Sequence, residues 1–289
     1  MPRELTPYGE RSILRYAGAN VAELRWWLHQ LPSDTDAVVV ENSAISPELQ
    51  RVCPDMLAPV LTVFTNTFPD HEALWGRDER AVLAALSGAL PRGGAVVLPQ
   101  ALAKRHQMRL LALEQELTLH AVEPMTEFSS YLSANIPLAI EACRLAGVEK
   151  ATALAAMRSV AADIADSSVI HTDEWELAFA FSINDLQSTR EYFTSLGWLS
   201  SQTSLIYNHR MDRVDRFRAF EEWMKNGGWK NVVIIGDRPP FSSLARRYRK
   251  IKSMEEFIDL LTLETRILGC GNAVHGLPLA FRLTVEGEI

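Results

Sequence analysis

The chain has 289 residues, of which 47% are hydrophobic and 22% are charged, with 29 Lys and Arg against 36 Asp and Glu. This composition is typical of a globular protein with a sizeable core, and it excludes the disordered and fibrous classes. The formal net charge of -7 gives no general reason to expect nucleic acid as a partner, so any anionic ligand needs a local site.

The number of cysteines and the hydropathy of the chain indicate the cellular compartment in which the protein is expected. The three cysteines, Cys53, Cys143 and Cys270, are too few and too scattered for a disulfide framework or a zinc knuckle, which favours the reducing cytoplasm. The apolar runs fall far short of the roughly 20 residues that a membrane-spanning helix needs, and the N-terminus has no apolar signal core. We therefore predict a cytoplasmic protein that reaches a membrane only through partners.

In chain order, the first half alternates amphipathic stretches with short β-branched runs, a pattern that predicts an α/β fold. A helix is predicted at 21–31, a strand at 37–40 that Glu41 ends, and a second strand at 60–64. The later predictions are a helix at 77–90, strands at 95–98 and 120–122, a helix at 136–146 closed by Gly147, and a helix at 149–164.

The pattern restarts near Asp166, where we place the boundary between domains at 1–165 and 166–289. Strands are predicted at 175–181, 204–207, 232–235 and 266–268, and helices at 186–196, 213–224 and 254–261. Strands that alternate with helices predict a second, doubly wound parallel sheet.

Polar residues directly after apolar strands are the candidates for chemistry, because ligands bind outside the carboxyl ends of the strands in open parallel sheets. Glu41 follows one predicted strand, and Asn66, Asp70 and His71 follow the next. Together they offer a carboxylate pair, an amide and an imidazole to a divalent cation that also holds phosphate oxygens, which predicts a Mg²⁺-nucleotide site. On spacing alone, an equally supported interpretation is that Glu41 ends a strand and Asp70 caps the next helix.

A phosphate-binding loop of the GxxxxGK[ST] type is absent from the sequence. The nearest approach, from Gly88 to Gly94, has Gly94 at the lysine position and precedes a strand, so it predicts a turn.

In the second half, Asn184 and Asp185 follow one strand, and Arg210, Asp212 and Arg213 follow the next. These side chains could form an anion and carboxylate site, since Arg offers a planar fork to carboxylate or phosphate. The commoner role of such residues, as loop residues and helix caps, is the favoured alternative on the sequence pattern alone. The basic run at 246–250 is interpreted as a solvated face.

Two passages resemble a known family: Val-Val-Val-Glu41-Asn-Ser-Ala-Ile-Ser-Pro-Glu-Leu-Gln50 and Thr65-Asn66-Thr-Phe-Pro-Asp70-His71. They are similar to the Mur ligase superfamily and, within it, most similar to the ligase subunit of poly-γ-glutamate (capsule) synthase. Four further segments resemble the same subunit and occur in the same order along the chain: Gly18-Ala-Asn20, Asn184-Asp185-Leu-Gln-Ser-Thr189, Asn208-His-Arg210-Met-Asp212-Arg213 and Gly271-Asn272-Ala-Val-His-Gly276. The resemblance therefore covers nearly the whole chain.

The resemblance implies a Mur-ligase-like central parallel-sheet domain, N-terminally truncated, plus a C-terminal Rossmann-like α/β domain. It implies ATP-dependent amide ligation through an acyl phosphate that an incoming glutamate captures, with ATP and Mg²⁺ as cofactors. The implied partners are glutamate, the growing poly-γ-glutamate chain and membrane subunits of the synthase complex.

The resemblance also implies roles for individual residues. Glu41 and His71 would bind Mg²⁺, and Asn66 and Asp70 would shape the catalytic loop. Asn135, Asn184 and Asp185 would contact the nucleotide. Arg210 and Asp212 would lie on the surface of the C-terminal domain that closes over ATP and the incoming amino acid.

The sequence departs from the family at its start, because the family begins with a strand, a P-loop and a helix that these residues do not include. We therefore expect a fragment, an internal start, or a second, P-loop-containing polypeptide. A competing hypothesis is a non-catalytic binding or regulatory subunit that assembles with a full-length ligase. A third is a Rossmann-like binding protein that does not use nucleotide.

Overall fold

The computed structural model describes residues 3–6, 8–13, 21–127, 132–160 and 166–287. Its elements before residue 166 are a short antiparallel hairpin, three parallel strands and the helices around them. The strands are β1 (Arg3–Thr6), β2 (Gly9–Ser12), β3 (Leu61–Val63), β4 (Ala95–Pro99) and β5 (Thr118–Val122). The helices are α1 (Val21–Leu28), α2 (Pro47–Leu57), α3 (Glu72–Trp75), α4 (Glu79–Leu86), α5 (Gln100–Ala103), α6 (His106–Glu114), α7 (Leu132–Leu145) and α8 (Lys150–Ser159).

The N-terminal sheet has the order β3-β4-β5 and is parallel throughout. Its central strand β4 is the apolar run Ala-Val-Val-Leu-Pro, and Val96, Val97 and Leu98 have no exposed surface. Leu83 of α4 and Met108 of α6 complete the core cluster that covers this strand. Buried β-branched residues on a central parallel strand are what this layered arrangement requires.

The C-terminal part contains five strands and four α-helices. The strands are β6 (Ser168–His171), β7 (Glu176–Ala180), β8 (Ser204–His209), β9 (Asn231–Gly236) and β10 (Arg266–Gly271). The helices are α9 (Leu186–Ser195), α10 (Val214–Asn226), α11 (Met254–Thr262) and α12 (Leu277–Gly287). The strand order is β6-β7-β10-β8-β9, and β6 alone runs antiparallel to its neighbour.

Alternate residues of the C-terminal strands pack into two separate hydrophobic cores, one on each face of the sheet, because successive side chains of a strand point to opposite faces. Leu205 and Leu268 pack with Phe217 and Phe220 of α10 in one core. The opposite core contains the neighbouring strand residues together with side chains of α11 and α12, among them Leu177, Ile206, Ile267, Phe257 and Phe281. Both faces of this sheet are therefore covered by helices.

The α/β fold class is confirmed, with a parallel sheet in the first region and a larger sheet in the second. The second sheet, predicted to be parallel throughout, is mixed because the unpredicted edge strand β6 pairs antiparallel with β7. Gly147 ends α7 with a φ of 86° and donates its amide to the Arg144 carbonyl, as predicted for a helix terminus. The turn predicted before β4 is present, and Gly93 and Gly94 both adopt positive φ there.

The strand predicted at 37–40 is wrong. The segment is extended, but no described residue pairs with it in a sheet, and the side chain of Val39 is 98% exposed. Its apolar sequence encodes a tendency to be buried in a sheet, whereas strand formation also needs a hydrogen-bonding neighbour.

Several helices and strands escaped prediction, namely β1, β2, β6, α2, α3, α5, α6 and α12. The helix predicted at 149–164 is observed as Lys150–Ser159, and residues 161–165 lie outside the described residues, as does the Gly18–Asn20 motif. No helix in the described part of the chain is both long enough and apolar enough to span a bilayer.

Candidate functional site

A cavity of about 910 Å³ lies where the loops after β3 and β7 approach each other. The predicted site residues that line it are Glu41, Asn66, Asp70, Asn135, Asn184 and Asp185. Both loops leave the carboxyl ends of parallel strands, which is where ligands bind in open α/β sheets. The structure thus brings together six residues that are up to 144 positions apart, from Glu41 to Asp185.

Local hydrogen bonds shape the loop after β3. The Asn66 side chain accepts from the Phe68 amide at 3.0 Å, and Asp70 accepts from the His71 amide at 2.9 Å. His71 adopts a positive φ of 50° at the start of α3. His71, and not Asp70, therefore occupies the cap position of α3, so the cap interpretation of Asp70 is wrong.

The cavity wall is strongly acidic. Six carboxylates line it, from Glu41, Asp70, Glu79, Asp166, Asp185 and Glu191, whereas Arg105 is its one lining cation among the described residues. Arg105 is itself paired with Glu79. A polyphosphate entering this cavity would meet a negative wall, so the cavity favours a cation unless positive charge is added to it.

Asp185 has a structural role as well as its place in the cavity. Its side chain accepts from the Ser188 amide at 2.7 Å and so caps α9. Burial raises the pKa of Asp185 above its ordinary value, and the bonds from Ser188 oppose that shift. The cap role that the sequence pattern offered for Asp185 is confirmed.

The start of α10 contacts the loop after β3 through three side chains. Arg213 Nη1 lies 3.0 Å from His71 Nε2 and 3.2 Å from His71 Nδ1. Arg216 Nη2 donates to Asp70 Oδ2 at 3.2 Å, and Asp215 Oδ2 accepts from the Ala73 amide at 3.2 Å. These contacts join the two sheet regions beside the cavity.

Arg216 is the functional candidate that sequence reasoning missed. Its side chain is only 5% exposed, and its Nη1 donates to the Gly271 carbonyl at 3.3 Å and to Asn272 Oδ1 at 3.4 Å. A signal was present in the sequence: Arg213 and Arg216 both stand at the start of a helix, where the helix dipole favours acidic residues and disfavours basic ones. Two arginines in that position indicate a compensating anionic neighbour.

The Gly271 carbonyl, which accepts from Arg216, lies where the end of β10 closely approaches the end of β8. Asn208 Nδ2 donates to the Asn272 carbonyl at 2.5 Å, and Asn272 Nδ2 returns a bond to the Asn208 carbonyl at 2.9 Å. Gly271 has a φ of 107°, and a Cβ there would lie 2.5 Å from the Asn208 carbonyl oxygen. Glycine is required at this position, since both the backbone angle and the space exclude a side chain.

The predicted metal ligands Glu41 and His71 do not form a ready cation site in this arrangement. His71 Nε2 already has Arg213 within 3.0 Å and Asp70 Oδ2 at 3.5 Å. Burial lowers the pKa of His71, the Asp70 carboxylate opposes that effect, and Arg213 and Arg216 reinforce it. Among the described residues no cluster of three or more His, Cys, Asp and Glu side chains is arranged to hold a metal ion. The residues therefore do not fit Mg²⁺ at His71 while Arg213 remains in place.

Arg210 and Asp212 bind each other, at 2.9 and 2.6 Å, and do not line the cavity. They belong to the same strand-to-helix turn as Arg213, whose electrostatic surroundings include both of them. The structure therefore places them beside the site and leaves their predicted catalytic role a prediction.

The C-terminal region matches one protein family. Residues 167–288 match the model described as the poly-gamma-glutamate synthase CapB C-terminal domain. A search of curated protein sequences gave no match for this chain.

Several solved structures share the fold. MurF from Acinetobacter baumannii has a TM-score of 0.57 at 12% identity, with 84% of this chain and 61% of that chain covered. The MurF ligase from Thermotoga maritima in complex with ADP also has a TM-score of 0.57, at 8% identity over 86% of this chain and 67% of that one. An FPGS in complex with AMPPCP and folate has a TM-score of 0.57 at 14% identity, over 78% of this chain and 61% of that one.

These findings confirm the resemblance to the Mur ligase superfamily. At these identities the solved structures establish the fold alone, and the family model matches only residues 167–288, which are less than half of the chain. The chain spans 61% of the length of the first of these structural relatives.

Proposed function

We propose that this chain, whose residues 167–288 carry the CapB C-terminal domain, takes part in ATP-dependent ligation of glutamate to a poly-γ-glutamate chain. The single observation that carries the proposal is the cavity in which Glu41, Asn66, Asn135 and Asp185 meet across the two sheet regions. Six of the residues that line this cavity are residues to which the ligase resemblance assigns a role. Relatives that bind ADP and AMPPCP support a nucleotide as the energy source.

The proposed reaction has two steps. A carboxylate oxygen of the acceptor chain attacks the γ-phosphorus of ATP, which releases ADP and leaves an acyl phosphate. The amino nitrogen of glutamate then attacks the acyl carbon, phosphate leaves, and the nitrogen loses a proton as the amide forms. The loops after β3 and β7, which line the cavity, would exclude water from the acyl phosphate, and the contact of Asp70 with Arg216 of α10 would hold the first of these loops in place.

Positive charge for the phosphates must be added to this cavity, because Arg105 is paired with Glu79 and carboxylates dominate the wall. Together with the absence of a GxxxxGK[ST] motif from these residues, this favours action with a P-loop-containing polypeptide. The cytoplasmic location and the membrane subunits of a polymer synthase remain part of the proposal.

The test is ATP-dependent release of phosphate in the presence of glutamate and Mg²⁺. We expect little release from the chain alone and release after a P-loop-containing polypeptide is added. Glu41→Gln and Asn66→Ala should each lower that release by roughly tenfold or more, since each removes a cavity group from the reacting centre. Arg246→Gln, an exposed change outside the cavity, is the matched control.

The second candidate is a non-catalytic subunit that assembles with a full-length ligase, and the acidic, lysine-free cavity wall favours it. It predicts no phosphate release under either condition, together with co-elution with a ligase partner. A lack of release with the P-loop polypeptide present would reject the catalytic proposal and leave this one.

A further inference from the structure

Exposed basic residues surround an exposed phenylalanine beside the edge strand β9. Residues 238–252 contain six of the 29 Lys and Arg and none of the 36 Asp and Glu, so the other residues carry 23 basic against 36 acidic side chains. We define the basic edge as four of these six side chains, all exposed: Arg238, Arg249, Lys250 and Lys252. The basic edge is a positive surface on a chain that is negative overall.

The basic edge lies at the carboxyl end of β9. Arg238 comes two residues after that strand ends. Tyr248 forms a parallel bridge with Ile234 of β9, so residues 249–252 run toward the same end of the strand. The two arginines at 246–247 precede this bridge and stand toward the start of β9, outside the basic edge.

Neighbouring carboxylates do not neutralise the basic edge. Elsewhere in the C-terminal region Lys230 and Arg266 are each paired with a glutamate, whereas the four cations make no ion pair with a carboxylate in the part of the chain that the structure describes. The flanking carboxylates are bound to backbone amides, Asp237 at 2.8 Å and Glu256 at 2.7 Å. The positive charge is therefore available to an anionic surface.

Phe241 projects from the loop that follows β9. Its side chain is fully exposed, and its φ of 55° lies in the left-handed region, which a bulky residue rarely adopts. The loop is anchored on both sides of the ring, because Pro239 is buried and Ser242 Oγ donates to Glu221 Oε1 at 2.6 Å. An anchored loop that holds an aromatic ring in water, on a strained backbone, indicates a partner that buries the ring.

We propose that the basic edge and Phe241 dock this chain directly on an anionic lipid bilayer, with the Phe241 ring among the headgroups and the four cations against the lipid phosphates. Aromatic rings favour the interface of a bilayer, and each Lys or Arg near an anionic surface strengthens binding about fivefold. A soluble polyanion would satisfy the cations and leave the ring in water. This docking is independent of the proposed ligase reaction.

Docking at this edge also orients the candidate cavity. β7 and β9 run parallel within the order β6-β7-β10-β8-β9, so the loop after β7, which lines the cavity, leaves the same edge of the sheet. Three strand spacings place β7 about 14 Å from β9. Charges further apart than about 8 Å are largely screened at physiological ionic strength, so the acidic cavity wall does not prevent docking through the basic edge.

The test is flotation of the full chain with vesicles of phosphatidylglycerol and phosphatidylcholine in equal parts, compared with phosphatidylcholine alone. The wild type should float with the anionic vesicles only. The triple variant Arg249→Gln, Lys250→Gln and Lys252→Gln should bind roughly a hundredfold more weakly, since three cations are removed. Phe241→Ser should bind roughly tenfold more weakly, and Phe241→Trp should stay close to the wild type.

The matched control triple removes the same charge from exposed positions in the N-terminal region, through Arg92→Gln, Lys104→Gln and Arg109→Gln. It should bind as the wild type does. Leu199→Ser, at a position that is 59% exposed, controls for the loss of an apolar side chain.

Three outcomes would overturn the proposal. Equal losses in the two triple variants would mean that overall charge, and not the basic edge, holds the vesicle. Unchanged binding by Phe241→Ser would mean that the ring does not enter the bilayer. Binding of the wild type to soluble polyglutamate but not to anionic vesicles would assign the cations to a polyanion in solution.

A second measurement uses the wild-type chain and so does not depend on a variant that folds. Anionic vesicles should slow hydrogen exchange in peptides that cover residues 238–252, and neutral vesicles should not. Protection that appears only outside this segment would contradict docking through the basic edge. Neither measurement requires ATP or ligation, so a failed phosphate-release assay and a failed docking are distinguishable.

Discussion

The edge strand β9 of the C-terminal sheet buries Val232, Ile234 and Ile235, whereas the edge strand β3 of the N-terminal sheet leaves Val63 42% exposed and the preceding Val60 89% exposed. Helices α9 and α10 cover one face of the C-terminal sheet, and α11 and α12 cover the other. A parallel sheet needs both faces covered to be stable. In the described residues, the C-terminal region meets this condition more completely than the N-terminal region does.

The two halves of the candidate site, one from each sheet region, differ in the same way in how firmly their residues are held. Arg216 is anchored on strand ends that Asn208 and Asn272 bind together. Glu41, by contrast, follows the largely exposed segment at 37–40, which pairs with no strand that the structure describes. The C-terminal half of the site is thus built on a rigid platform, and the N-terminal half is carried by segments with fewer fixed partners.

The largest expected effects come from a matched pair of cavity-forming substitutions. Leu268 and Leu98 are both fully buried on central strands, one in each sheet. We expect Leu268→Ala to cost about 4–5 kcal/mol and Leu98→Ala about 2–3 kcal/mol, because a site enclosed by strands and helices on both faces collapses less around a cavity. Urea denaturation, with hydrogen exchange resolved by strand, measures both.

Leu263→Ala, at an exposed position in the C-terminal region, controls for the loss of a leucine as such. If the two substitutions lower the free energy of unfolding equally, or if Leu98→Ala lowers it more, the C-terminal sheet is not the more completely covered of the two.

Helix caps should give smaller effects that are equal in the two regions. Asp78 accepts from the Ala81 amide at 2.8 Å to cap α4, and Ser253 accepts from the Glu256 amide at 3.2 Å to cap α11. Asp78→Ala and Ser253→Ala should each cost about 1 kcal/mol, because each leaves one amide of a helix end without its partner. Thermal unfolding monitored by circular dichroism reports both changes.

The conservative variant Asp78→Asn retains an acceptor at the cap and should stay near the wild type. A cap effect several times larger in one region would indicate that the cap residue also holds that region together.

The smallest expected effect is the pH dependence of stability that His209 contributes in the C-terminal region. His209 is buried in β8, its Nδ1 contacts the Asp237 carbonyl oxygen at 2.9 Å, and burial lowers its pKa below the ordinary value of 6.5 despite that contact. The unfolded chain then binds the proton more readily, so stability from the neutral ring is complete above pH 6.5 and is lost as the pH falls toward the folded pKa.

Denaturation of His209→Gln across this pH window should show a shallower loss of stability on acidification than the wild type shows. His29→Gln, at an exposed position, is the control. An unchanged slope for His209→Gln would mean that other groups cause the acid sensitivity.

Sequence periodicity predicted the C-terminal region well because its strands are short, apolar and buried, as the runs at 204–207 and 232–235 showed. It failed at 37–40, where the same kind of run finds no partner strand among the described residues. It also missed α12, whose start at Leu277 directly follows the segment from Gly271 to Gly276 that carries part of the family resemblance. Local patterns record how apolar a segment is, and they do not record which backbone lies beside it.

For the site, the motifs identified Glu41, Asn66, Asp70, Asn135, Asn184 and Asp185, and the structure places all six around one cavity. They could not identify the contact of Arg213 with His71 or that of Arg216 with Asp70, which join positions 142 and 146 residues apart.

By itself the sequence determined the α/β class, most strands of the second region and the residue types of the site, because these depend on local hydrophobic pattern and on motif chemistry. Only the tertiary structure decided that Arg213, directly before α10, contacts His71 and that Arg216 of α10 binds Asp70, both in the loop after β3. Such contacts arise from the way two sheets approach each other, and charge and distance then determine whether a cation can bind there.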